Sequence, residues 1–374
     1  MKKIKVAVEV VIILCVIMAL FGKLIRHTVM YESLVKPGIG WHMINDIVGN
    51  TQKFGLTIKN SYSNEEVAGA AQNACAFFST INVFHFDTYY SLEVYITILW
   101  NVLFLIITVR LKKSFNIGEV LFLAMTIAVL NIFDFCVAKE PIQMLYFVGM
   151  YAILCSKKSD KFKFLGIILM YILCYATYRN YYILMAGFFI YLWLIYNVLI
   201  SKINKVTKKN MFIIIMSIFT CYFIFLNIIK IIDNSAYSEL IRVRLRESTA
   251  ASDMRAIFKS DNLAVFTLDY IIMLVRMLFP IELVRMGPKY FIYFIYQIVI
   301  TLLLIKNIKL INNISYTKRI ALFTFMAFLM GSAAFEPDFG SWIRHEAVTF
   351  PVIYVMTGIK EIKNERELNE EKIL

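Results

Sequence analysis

The stretch FLGIILMYILCYATYRNYYILMAGFFIYLWLIYNVLI, residues 164–200, carries one charged side chain, Arg179, in thirty-seven positions. A bilayer core takes about 20 apolar residues per helix. The stretch therefore reads as two membrane helices, 164–178 and 181–200, joined by the short turn Tyr178–Tyr182 (YRNYY). Comparable runs fall outward from it at about 5–22, 91–109, 117–136 and 142–156 on one side, and 211–231, 290–308, 318–335 and 347–360 on the other. The run at 263–286 differs, because Asp269, Arg276, Pro280, Glu282 and Arg285 interrupt it; it reads as a re-entrant or interfacial segment. The expected fold is all-α: a polytopic membrane helix bundle of about ten transmembrane helices, forming a single integral membrane domain over residues 1–374.

Composition supports this. The chain is 60% hydrophobic and 17% charged, with mean hydropathy +0.69, whereas soluble domains sit near 45–50% apolar and 25% charged. Net charge is +13, from 39 Lys and Arg against 26 Asp and Glu. In a soluble chain that excess would suggest nucleic acid; here it first suggests topology signals and anionic lipid. The six cysteines show no CxxC pair, and the four histidines no metal-ligand spacing. They call for no disulfide framework, metal or cofactor.

Lysine placement orients the bundle. Lys2, Lys3 and Lys5 precede the first run, with no small-residue cleavage site after it, so it reads as a retained helix with a cytoplasmic N-terminus. With ten crossings, the Lys-rich connectors 110–113, 157–163, 202–209 and 306–319 all fall on the cytoplasmic side, together with the tail 361–374. Two long outer segments result, about 23–90 and 233–289, and three short outer turns at 137–141, 178–181 and 336–346. Topology accounts for the inner lysines. It does not account for the outer arginines Arg179, Arg242, Arg244, Arg246, Arg255, Arg276, Arg285 and Arg344. The guanidinium fork binds phosphate or carboxylate in two places at once.

Chemistry concentrates in four places. Glu336–Glu346 (EPDFGSWIRHE) holds five titratable groups; Pro337 and Gly340 predict a turn, with Arg344, His345 and Glu346 opening the last helix at its anion-favouring end. Arg242 and Arg246 share a helical face, and Arg255 follows. Lys139-Glu140-Pro141 lies at a membrane boundary, and Arg179 sits between two apolar runs. Asp134, Asp269 and Arg276 are further cavity candidates inside apolar sequence. Each cluster has a plainer reading as a solvated turn, an interfacial anchor or a headgroup-binding face.

AKEPIQ (138–143), YRNYY (178–182), EPDFGSWIRHEAVTFP (336–351) and the arginine-bearing segment 233–262 carry a resemblance to bacterial polysaccharide repeat-unit polymerases, the Wzy-like proteins of O-antigen and capsule assembly. The wider layout resembles membrane glycosyltransferases of the GT-C type. The resemblance implies transfer of a growing glycan from undecaprenyl pyrophosphate onto a new lipid-linked repeat unit, at the outer face of the bacterial cytoplasmic membrane. Implied partners are the lipid-linked oligosaccharide, membrane lipid, a flippase and a chain-length regulator, with no nucleic acid. His345, Glu336, Asp338 and Glu140 are the nominated acid–base groups. Arg344, Arg179, Arg242 and Arg246, joined by Lys139, Arg255 and Arg276, are nominated for pyrophosphate. A GT-C enzyme with a polyprenyl-phosphate sugar donor would instead need Glu32 or Asp46 in the first outer loop, and a flippase would need no acid–base turn.

Overall fold

The computed structural model describes residues 5–31, 35, 65–111, 114–198, 200–202, 208–232, 238, 253–254, 256–258, 262–287, 290–336 and 338–358. Glu32, Asp46, Arg242, Arg244, Arg246, Arg255, Pro337 and the tail 361–374 lie outside them. The described residues are almost entirely helical, and each apolar run of the sequence carries a helix. Among the described residues, four helices are long and apolar enough to cross a membrane: Val8–His27, Tyr89–Leu111, Phe291–Lys309 and Tyr316–Phe335. Ile117–Phe133, Tyr182–Val198 and Met216–Ile231 are shorter apolar helices. The chain divides into two compact units, Met1–Tyr182 with Ala347–Leu374, and Ile183–Glu346.

The first unit departs from the all-α expectation at one point. Strand β1 (Lys5–Ala7) pairs antiparallel with β2 (Ser114–Asn116). Helix α1 (Val8–His27) leaves β1, and α4 (Ile117–Phe133) leaves β2. Asn116 caps α4 through a capping box with Glu119, at 3.0 Å in each direction. The two helices then pack along each other. At Gly22 a β-carbon would come within 2.6 Å of the Ala128 carbonyl oxygen and 2.9 Å of Asn131 Cβ, so only glycine permits this approach. Three more helices of this unit are α2 (Glu65–Ile81), α3 (Tyr89–Leu111) and α5 (Glu140–Leu154). Asn101 of α3 and Asn131 of α4 exchange amide hydrogen bonds of 2.9 and 2.8 Å. Such reciprocal pairs satisfy polar groups that hydrocarbon would leave costly. Ser159 caps α6 (Asp160–Thr177), and α14 (Phe350–Gly358) stacks Phe350 on Phe104 with ring centroids 4.4 Å apart.

The direction of these helices sorts their charges. α1 and α4 start at the ribbon and α3 ends beside it, so Lys5 and Arg110 lie at the ribbon end. The opposite end collects the last turn of α1, the first turns of α3, residues 132–140, and the turn after α6.

In the second unit, α7 (Tyr182–Val198) is followed by α8 (Lys208–Ile232), α9 (Leu263–Leu278), α10 (Ile281–Arg285), α11 (Phe291–Lys309), α12 (Tyr316–Phe335) and α13 (Phe339–Ala347). The 263–286 run is thus a helix of sixteen residues, a break at Phe279–Pro280, and a helix of five. Tyr222 of α8 stacks on Tyr270 of α9 at 3.6 Å, and the Tyr270 hydroxyl donates to the Met330 carbonyl of α12.

Candidate functional site

Helix α12 ends at Glu336, whose backbone is extended and whose N–H still bonds back to Ser332 at 2.8 Å. The sequence reading of the next residues needs correcting. Residues 339–347 form a helix of their own rather than a turn, with Gly340 inside it. Arg344 and His345 lie in its last turn. They do not open the last helix, so the positive end of a helix dipole does not assist them; cations are favoured where they stand. Asp338 explains the helix. Its Oδ1 accepts the Ser341 N–H at 2.8 Å and its carbonyl accepts the Trp342 N–H at 3.0 Å. Its side chain therefore works as an N-cap.

One turn of α13 then returns the chemistry to Glu336. His345 Nδ1 lies 2.6 Å from Glu336 Oε1, and Ser341 donates to Glu336 Oε2 at 2.6 Å. Glu336 and His345 are 3% and 4% exposed by side chain. The carboxylate stands in the middle, with the serine and the histidine on different oxygens. This order does not activate Ser341 as a nucleophile, because its proton faces a carboxylate rather than an imidazole. It does fix the imidazole: with Glu336 ionised, Nδ1 carries the proton and Nε2 the lone pair.

The opposite side of α13 is anchored to α11. Trp342 Nε1 donates to Gln297 Oε1 at 3.2 Å, and Gln297 Nε2 donates to Glu346 Oε1 at 3.0 Å. Trp342, Gln297 and Glu346 are all fully buried. Burial pushes the Glu346 carboxyl up to about 8, partly opposed by the Gln297 hydrogen bond. A segment of the second long loop docks here too. Asp253 forms a backbone bridge with Asp338, and Ile257 N–H donates to Asp269 Oδ1 at 2.8 Å. Asp269, expected to line a cavity, thus ties down the loop. Arg276, nominated for pyrophosphate, holds Glu282 through both ends of its fork at 2.8 and 2.9 Å. Arg344 is half-buried, and its Nε lies 3.3 Å from the Gly340 carbonyl.

Lys139, Glu140 and Arg179 belong to the first unit, where they share its far end. Tyr178 donates to the Lys139 carbonyl at 3.3 Å. The Arg179 guanidinium bonds the Tyr181 hydroxyl and lies 5.3 and 5.5 Å from the Tyr178 and Tyr181 ring centroids. Glu140 is buried in the first turn of α5.

Four residues at this end lie outside the sequence candidates: Lys23, Arg26, His27 and Glu93. The first outer loop was expected to start near Lys23, yet α1 continues to His27 and buries Arg26. Glu93 of α3 receives Lys23 at 2.8 Å, Arg26 at 2.9 Å and His27 at 3.3 Å, all on Oε1. Arg26 also reaches the Ile132 carbonyl at 2.8 Å, and Lys23 the Phe135 carbonyl at 2.5 Å. The Ile132 carbonyl belongs to the last turn of α4, where a helix leaves its acceptors unsatisfied, and Phe135 lies just beyond the helix end. The available signal was Glu93 itself, an acid one turn inside an apolar run. Among the described residues no group of three or more His, Cys, Asp or Glu is arranged to hold a metal. No family model, curated protein or solved structure matches the chain.

Proposed function

We propose that the chain is a membrane enzyme that joins lipid-linked oligosaccharide repeat units, a glycosyltransferase of the polysaccharide-polymerase kind. In this reading it crosses the bacterial cytoplasmic membrane about ten times, keeps both termini inside and works at the outer face on undecaprenyl-pyrophosphate-linked glycan. The observation that carries the reading is the Glu336–His345 contact of 2.6 Å, inside the stretch whose sequence resembles such polymerases.

The chemistry follows from the dyad. His345 Nε2 takes the proton of the attacking sugar hydroxyl, and Glu336 stabilises the imidazolium that forms. The hydroxyl oxygen bonds to the anomeric carbon of the lipid-linked glycan, and the bond from that carbon to pyrophosphate breaks. Undecaprenyl pyrophosphate departs with the electron pair. Its developing charge needs preorganised cations. Arg344 of α13 is assigned that role, and the sequence assigns Arg242, Arg246 and Arg255 likewise.

The buried ion cluster around Glu93 favours a second reading, because ionisable groups inside membrane-length helices mark transport pathways. That reading is a lipid-linked glycan flippase. Gene deletion in the native host separates the two. Loss of a polymerase leaves single-repeat glycan on the surface, whereas loss of a flippase leaves none. Surface glycan of unaltered length and amount would sink both.

A further inference from the structure

We propose that Lys23, Arg26, His27 and Glu93 form a binding site for a phosphate bearing a neighbouring hydroxyl, the headgroup chemistry of a lipid-linked sugar. Three observations carry it. The first is the donor inventory. An ammonium has three N–H groups and a guanidinium five. Lys23 uses two, on Glu93 and Phe135; Arg26 uses three, on Glu93, Ile132 and Tyr89. Charged donors therefore remain on both side chains. The second is the carboxylate. All three groups converge on Glu93 Oε1, while Oε2, fully buried, accepts no hydrogen bond among the described residues. A ligand that satisfies this set must offer acceptor oxygens to the cations and an O–H to Glu93. The third is position. The cluster lies in the last turns of α1 and the first turns of α3, two helices of membrane-crossing length, and it opens outward through its less buried members, Lys23 at 17% and His27 at 32% side-chain exposure. That is the depth of a lipid headgroup. Asp134, also buried, lies between Ile132 and Phe135, whose carbonyls the cations hold, so the site is mixed in charge rather than purely cationic.

Assigning the phosphate to a lipid-linked sugar rests on the polymerase reading, since joining two lipid-linked glycans requires a second headgroup site. The contacts themselves do not. The test uses the full chain in lipid nanodiscs, titrated with farnesyl-pyrophosphate-linked N-acetylglucosamine. Lys23→Gln and His27→Gln are each expected to weaken binding about tenfold, the size of one charge-assisted hydrogen bond. Lys23→Arg, which keeps the charge, controls for folding and should restore most of the affinity. Farnesyl pyrophosphate, which lacks the sugar hydroxyls, should bind about tenfold more weakly than the glycosylated probe. Wild-type affinity in both glutamine variants, or equal affinity for the two probes, would overturn the site. Full displacement of the probe by phosphatidylglycerol, but not by phosphatidylcholine, would overturn the lipid-linked sugar as its ligand. If glycan stays long in His345→Ala cells while Lys23→Gln loses the probe, the polymerase reading fails and the site stands.

Discussion

Glu93 and Glu336 are both nearly inaccessible carboxylates at the ends of apolar helices, and they are solved differently. Glu93 gathers two cations and a histidine on one oxygen, drawn from α1, and the cations reach on to the Ile132 carbonyl of α4 and the Phe135 carbonyl just beyond it. Glu336 divides its oxygens between a hydroxyl and an imidazole, both from α13. The first arrangement neutralises charge and joins three helices. The second places a proton on a chosen nitrogen. Removing Glu93 should therefore cost mainly stability, and removing Glu336 mainly activity.

The largest expected effect breaks the comparison if it fails. Glu93→Gln leaves Lys23 and Arg26 buried beside a neutral amide, which costs about 3–5 kcal/mol. The unfolding midpoint of the purified protein in detergent should fall accordingly. The triple replacement Lys23→Met, Arg26→Leu, Glu93→Leu should lose less than the single one, because no uncompensated charge remains. Glu336→Gln, which keeps an acceptor for Ser341, should shift the midpoint much less than Glu93→Gln.

A pH series sharpens the contrast within the second unit. Glu346 is held at about 8 by burial. Between its ordinary carboxyl range and 8, the folded form keeps a proton that the unfolded form has lost. Stability should thus decline as pH rises through that window and level off above it. The decline is on the order of 2–3 kcal/mol between pH 5 and pH 7. Glu346→Gln removes it, so the variant's midpoint should be flatter with pH and higher than wild type at pH 7. An unchanged slope would mean that Glu346 is not the group responsible.

Two smaller effects test how far the first unit depends on its α1–α4 seam. Gly22→Ala drives a methyl into the Ala128 carbonyl and should cost about 1–3 kcal/mol. Asn116→Ala removes the capping box at the start of α4 and should cost about 1 kcal/mol. If both are silent in thermal unfolding, the Glu93 cluster alone holds the seam.

The helices were legible in sequence because hydrocarbon-length apolar runs leave few alternatives. The run at 117–136 became Ile117–Phe133, and that at 211–231 became Lys208–Ile232. The break near Pro280 was legible for the same reason, since proline and charge interrupt one run. What sequence hid was pairing. Glu93 lies 67 positions from Arg26, and nothing local links them. The Glu336–His345 contact was half legible. Both residues stood out as a dense polar group, but an expected turn put His345 at a helix start. Asp338 capping a separate nine-residue helix moved it to a helix end and aimed it back at Glu336. Arg276 shows the converse: its fork suggested an outside anion, and Glu282, six residues on, occupies it.

The central claim is that the Glu336–His345 dyad performs the transfer, and surface glycan length tests it most directly. The native host, its own copy deleted, would carry His345→Ala or Glu336→Gln at wild-type protein levels. The account predicts single-repeat surface glycan from His345→Ala and sharply shortened chains from Glu336→Gln. Long chains of wild-type distribution from both variants would contradict it.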